Sequence, residues 1–224
     1  NLQTAQATLE LAESTHQGLD EATAIAAAAL IEAQIAMQAT AVVQAQSIMA
    51  EDQANVIGTP TQFLGIQVSG LVTITAGQSS IFVEATGDTI LGNVSASNTA
   101  NDAVVRITAS GDITVQGAVT APALVRLDAT GAGAEILGGG GSITTGDLAL
   151  TATAGISGPL STDVERFAAL GGTGGISLVN DQALQVTVVD GLTGVVSTGG
   201  GVSLTADGDL TLSELIDAST GCLL

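Results

Sequence analysis

The sequence predicts a mainly β protein, a parallel β-helix (β-solenoid) of about seven or eight coils, preceded by a long Ala-rich N-terminal α-helix or helical hairpin. Three observations carry this. A short alternating apolar phrase, ending in a small residue and a Gly or Gly-Asp turn, recurs from near residue 70 to the C-terminus. Period-2 alternation replaces helical spacing after residue 64. Residues 1–57 have the opposite character, rich in Ala and Gln, with one Gly and no Pro. Three segments follow: helical 1–57, a junction at 58–67, and the solenoid over 68–224.

In the first segment, 20–55 reads as one helix of about 35 residues, or about 50 Å at 1.5 Å per residue. Asp20 is placed to cap its N-terminus. Ile31, Ile35, Val42 and Met49 step by four and seven, the spacing of an apolar stripe. Such a stripe needs a partner surface, either the chain's own coil or a neighbouring subunit, so these residues are assigned to assembly. Residues 1–17 also favour helix, and Gly18 marks a kink or a turn between helices. The stretch 23–50 is apolar, but Glu32, Gln34, Gln38, Gln44 and Gln46 interrupt it. It lacks basic flanks and interfacial aromatics, which argues against membrane insertion. Gly58-Thr59-Pro60 ends the helix, because Pro cannot continue one.

The clearest copies of the repeat are VVRITASGD (104–112), LVRLDATGA (124–132), LALTATAG (148–155) and GVSLTADGD (201–209). Weaker copies are FVEATGD (82–88), RFAALGG (166–172) and LQVTVVDG (184–191). Anchoring on the small residue before each turn selects Ala85, Ala109, Ala129, Ala152, Ala169, Val189 and Ala206, a mean step of about 20 residues. That length holds two or three short strands with turns, one coil of a solenoid. At about 4.8 Å per coil the stack is a rod of roughly 35–40 Å. A β-sandwich or Greek-key barrel is the alternative, and recurrence in one phase favours the solenoid.

Within each copy the alternation assigns the faces. Val105, Ile107 and Ala109 point inward, as do Val125, Leu127 and Ala129, Leu148, Leu150 and Ala152, and Val202, Leu204 and Ala206. The Gly runs at 138–141, 171–175 and 199–201 read as corners, and short helical pieces are allowed near 161–169. Residues 93–102 and 157–165 read as long insertions. Arg106, Arg126 and Arg166 each fall three residues before an anchor, which puts them at one outward strand position. Arg106 and Arg126 would then repel across adjacent coils unless Asp128 and other acids pair with them.

The net charge is −19, with three Arg and no Lys. That argues strongly against nucleic acid and anionic membranes as partners, and favours solubility and cations. Aromatics make up 1% of the chain, so the core is built from Val, Ile, Leu and Ala. The single cysteine, Cys222, permits no internal disulfide and reads as unpaired or as half of an intermolecular one. The sequence opens at Asn1 without a basic head and apolar stretch, and reads as a processed or excised piece.

Catalytic parts are scarce. His16 stands in the helical segment with no second His or Cys nearby to make a metal site. No GxSxG occurs, and a Walker motif needs a Lys. The candidate metal site is a set of turn carboxylates. Asp88, Asp112 and Asp209 follow Gly at similar places, with Asp207 and Asp190 close by. Asp88, Asp112, Asp207 and Asp209 are the candidate calcium ligands, since Ca²⁺ takes six to eight oxygens. Against this, Asp favours turns for local reasons, and GGTGGIS at 171–177 lacks the Asp of the calcium-binding nonapeptide. Outward Thr73, Thr75 and Thr108 are too irregular for an ice-matching lattice.

The phrases ITASGDITVQGAVTA (107–121), GDLALTATAGI (146–156) and VSLTADGDLTLSELIDASTG (202–221) resemble the repeats of filamentous-haemagglutinin-type large exoproteins and related bacterial adhesins, over about residues 70–221. The resemblance implies a right-handed parallel β-helix, a secreted or surface location in bacteria, and a structural or adhesive role. The long Ala-rich helix in front departs from that pattern. The expected function is that of a non-enzymatic extracellular structural protein, polymerising head to tail into a filament or sheath. Leu223 and Leu224, the apolar end, are expected to be buried in the next subunit. The competing class is a surface adhesin whose loops at 93–102 and 157–165 bind a receptor or glycan. A third, a carbohydrate-active enzyme, has carboxylates but no Lys, Tyr or Trp.

Overall fold

A computed structural model of the chain describes residues 57–67, 70–98 and 100–219. All belong to one compact unit, Ile48–Leu224. The helix expected over 20–55, with Ile31, Ile35, Val42 and Met49, lies outside the described residues. So do His16, Cys222, Leu223 and Leu224.

The described residues form a parallel β-solenoid of about seven turns. Turn 1 holds β1 (Leu64–Gln67) and β2 (Leu71–Ala76), and turn 2 holds β3 (Ile81–Thr86) and β4 (Thr89–Ala96). Turn 3 holds β5 (Val104–Ala109), β6 (Ile113–Val115) and β7 (Ala118–Thr120). Turn 4 runs through β8 (Leu124–Ala129) and β9 (Glu135–Gly138) into β10 (Ser142–Ala152), which carries the chain into turn 5. β11 (Gly155–Gly171) then carries it into turn 6, which β12 (Gly175–Asn180) completes. Turn 7 holds β13 (Leu184–Val186), a hairpin of β14 (Val188–Val189) and β15 (Leu192–Thr193), then β16 (Val195–Ser197) and β17 (Val202–Ala206). β18 (Leu210–Leu212) and β19 (Ile216–Ala218) start an eighth. The first turn thus begins inside the segment read as a junction.

Each full turn presents three faces. Face one stacks β1, β3, β5, β8, the second half of β10 and the second half of β11. It continues through β13 and β16 to β18 and β19. Face two stacks β6 and β9 between the starts of β4 and β11. Face three aligns the end of β4 with β7, then β10 and β11. Every pairing between the named strands of different turns is parallel, as a stacked coil requires; the local hairpin β14–β15 and an isolated bridge between Ser79 and Ser97 are antiparallel.

The alternation read from the sequence is the burial pattern of face one. Val105, Ile107, Ala109, Val125, Leu127, Ala129, Leu148, Leu150 and Ala152 are all buried. Leu204 and Ala206, near the end of the stack, are only half-buried. The core is mainly Ile, Val, Leu and Ala, as composition demands, but it also holds Phe167. Phe82 is buried too, on the outward row in register with Arg106. Phe82 meets Phe63 edge to face at 5.8 Å.

Three of the seven anchors slip. Ala85, Ala109 and Ala129 stack in register, and Ala152 follows them. Ala169 faces Leu150, two residues short of that column. Val189 is in the hairpin, and Ala206 pairs with Asn180 on face three. The cause is that each turn contains several alternating strands, so the same phrase occurs on more than one face. Arg166 slips with Ala169: it faces Asp147, while Arg106 and Arg126 face each other. Residues 157–165, and the helical pieces allowed at 161–169, lie within β11, so no insertion is there. The other proposed insertion is half strand: 93–96 belong to β4, and the described residues from Ser97 to Asp102 lie in the connection to β5.

At one corner a side chain replaces a strand. Asn180, 1% exposed, accepts from Val164 N–H (2.9 Å) and Thr162 Oγ1 (2.8 Å). It donates to the carbonyls of Val164 (3.0 Å), Gln182 (3.0 Å) and Ala183 (3.4 Å). The buried backbone at the end of this face is thereby satisfied, as a buried polar group must be.

Candidate functional site

The candidate calcium ligands fall into two separate places. Asp88 and Asp112 stack at the corner between faces one and two of turns 2 and 3. Asp88 Oδ1 accepts from the Asp112 N–H (3.0 Å), and Asp112 Oδ1 accepts from the Glu135 N–H (2.8 Å). Glu135 Oε2 in turn accepts from the Ser157 hydroxyl (2.9 Å). These acids form a ladder in which each carboxylate holds the backbone or hydroxyl of the next turn. Asp207 and Asp209 flank the bend from face three into the eighth turn. Their backbone meets Asn180 and Leu184. Four to five turns, about 19–24 Å along the stack, separate them from Asp112. Among the described residues no group of three or more His, Cys, Asp or Glu could hold a metal ion.

A second polar cluster was half legible in the sequence. Arg106 and Arg126 project from face one on adjacent turns, as expected, and Arg126 holds Asp128 with Nε (2.8 Å) and Nη2 (3.0 Å). The missed partner is Asp190. It meets Arg106 Nη2 at 2.5 Å and Arg126 Nη1 at 3.0 Å, and its carbonyl accepts from the same Nη1 at 2.8 Å. The Arg126 guanidinium is held above its ordinary value chiefly by the hydrogen bond to Asp128, against the cost of burial, with Asp190 adding to it. Arg166 pairs separately with Asp147 at 2.6 Å.

Asp190 reaches the arginines because it tips the β14–β15 hairpin. Val188 pairs with Thr193 and Val189 with Leu192. Asp190 and Gly191 both take positive φ, +49° and +83°, the two-residue turn that Asp-Gly favours. The hairpin lies back over the outer surface of face one, where Val189 packs with Leu124, Ala149 and Ala168. The signals were VVDGLT, an Asp-Gly flanked by apolar residues, and Ala149 and Ala168, outward positions without a polar side chain.

The last turn is the third feature. β18 pairs with β13 and β19 with β16, and among the described residues neither has a partner on the other side. Leu212 is 57% exposed and Leu215 is 66% exposed. With Val202, Leu204, Leu210, Glu214 and Ile216 they line an open, largely apolar groove of about 460 Å³. Among the described residues no helix is long and apolar enough to cross a membrane.

No family model matches the chain, and neither the curated proteins nor the solved structures searched give a match. The solenoid is compatible with a β-helix repeat protein, and no relative names it an adhesin.

Proposed function

We propose that this chain is a non-enzymatic structural protein, outside the cell or at its surface, whose solenoid adds end to end to copies of itself in a filament or sheath. The coil is right-handed, following the general preference for right-handed crossovers between parallel strands. The observation that carries the reading is the open last turn. Among the described residues its strands have no partner on one edge, beside exposed Leu212 and Leu215, and unprotected strand edges invite pairing with another chain. The occupant is the first turn of a second copy, which presents strands of the same face in the same direction. Head-to-tail contacts of this kind give open fibres when the rotation does not close. Ile31, Ile35, Val42, Met49, Leu223 and Leu224 would add apolar contact to the same assembly.

The charge of −19 opposes association and is screened by salt, with a Debye length of about 8 Å at physiological ionic strength. Assembly is therefore expected to strengthen between about 10 mM and 150 mM salt. Negative-stain electron microscopy and sedimentation test it. Regular fibres that disappear in Leu212→Asp/Leu215→Asp support the reading. A wild-type chain that stays monomeric at high concentration, across salt and millimolar calcium, overturns it.

A further inference from the structure

Stacked-turn proteins are coupled through nearest neighbours. The strand pairings here obey that rule, since each turn is hydrogen-bonded to the turns beside it. The β14–β15 hairpin does not. In turn 6 a single residue, Ala168, separates the two paired positions Phe167 and Ala169. In turn 7 the equivalent positions, Val186 and Val195, are separated by the whole hairpin. Its tip binds Arg126 in turn 4 and Arg106 in turn 3, 64 and 84 residues away in sequence.

The reach closes arithmetically. From turn 7 to turn 3 is four spacings, about 19 Å. The extended arm from Val186 to Asp190 spans about 14 Å at 3.4 Å per residue. The arginine side chain makes up the rest. The surface underneath is graded to fit. Along one outward row stand Ala168 and Ala149, where the arm lies flat, then Arg126 and Arg106, where the tip ends. Ala149 and Ala168 are fully buried by this cover, and Val189 is 2% exposed.

We infer that the hairpin is a strap that locks turns 3 to 7 into one cooperative unit and stops the stack from unzipping turn by turn. Opening any turn beneath the strap breaks contacts that the others share, so these turns open together. Turns 1 and 2, outside its reach, open separately. The strap uses none of the edges invoked for assembly, so the two readings stand or fall apart.

The test is hydrogen exchange on the full chain, comparing wild type with two variants. One deletes residues 188–194, leaving Thr187 alone between Val186 and Val195, the spacing turn 6 already uses. The other is Asp190→Asn, which keeps the turn, since Asn also tolerates positive φ. In wild type, β5, β8 and β13 are expected to share one opening rate. The deletion should cost β5 and β8 about tenfold in protection, although they lie three and four turns from the cut. Asp190→Asn should cost them several-fold. A deletion whose effect stops at turns 6 to 8, leaving β5 and β8 within twofold, overturns the inference. Should the deletion variant fail to fold, unchanged exchange of β5 and β8 in Asp190→Asn overturns it equally.

Discussion

Asn180→Ala removes five hydrogen bonds at one buried corner. Two of them serve the Val164 N–H and C=O, which are left without a partner inside the stack. A buried backbone group stripped of its partner costs about 1–3 kcal/mol. Thr162 Oγ1 keeps its bond to the Val179 carbonyl at 3.2 Å, so the hydroxyl adds little. The sum for Val164 is about 2–6 kcal/mol. With a urea slope of about 2–3 kcal/mol/M, the midpoint falls by about 0.7–3 M. Circular dichroism in urea reads the midpoint, and hydrogen exchange reads the Val164 amide directly. Asn180→Asp should be at least as damaging, since it removes the donors and buries a charge. A midpoint within about 0.3 M of wild type, with Val164 still protected, would refute the view that this side chain stands in for a strand.

Phe167 is fully buried in the central turns, and Phe167→Ala is expected to cost about 3–5 kcal/mol, measured as a drop in the urea midpoint. Thr89 is 1% exposed and its hydroxyl has no partner among the described residues, so Thr89→Val should be neutral or raise stability by about 1 kcal/mol in the same assay. A loss above about 1 kcal/mol would mean that the hydroxyl is bonded. Arg126 has a raised pKa, so its contribution is complete below about pH 12 and is lost only as pH rises past that. The midpoint difference between wild type and Arg126→Met should therefore stay flat from about pH 7 to pH 10, and a difference that shrinks across that window speaks against the pairing.

Local chemistry was legible because strand parity is local. Val105, Ile107 and Ala109 sit inward whatever the rest of the chain does, since successive strand side chains point to opposite sides. The recurring phrase named the solenoid and placed Ala85, Ala109, Ala129 and Ala152 in one column. Only the tertiary structure decided which face each later copy occupies. Register between turns depends on the summed length of all the corners between them, so small differences moved Ala169 by two residues and Ala206 to another face. The same limit hid the strap. The Asp-Gly turn that closes it is a local signal, but the contacts that place it join Asp190 to residues 64 and 84 positions away. Pairing over such separations is set by how the turns stack, which no short window of sequence contains.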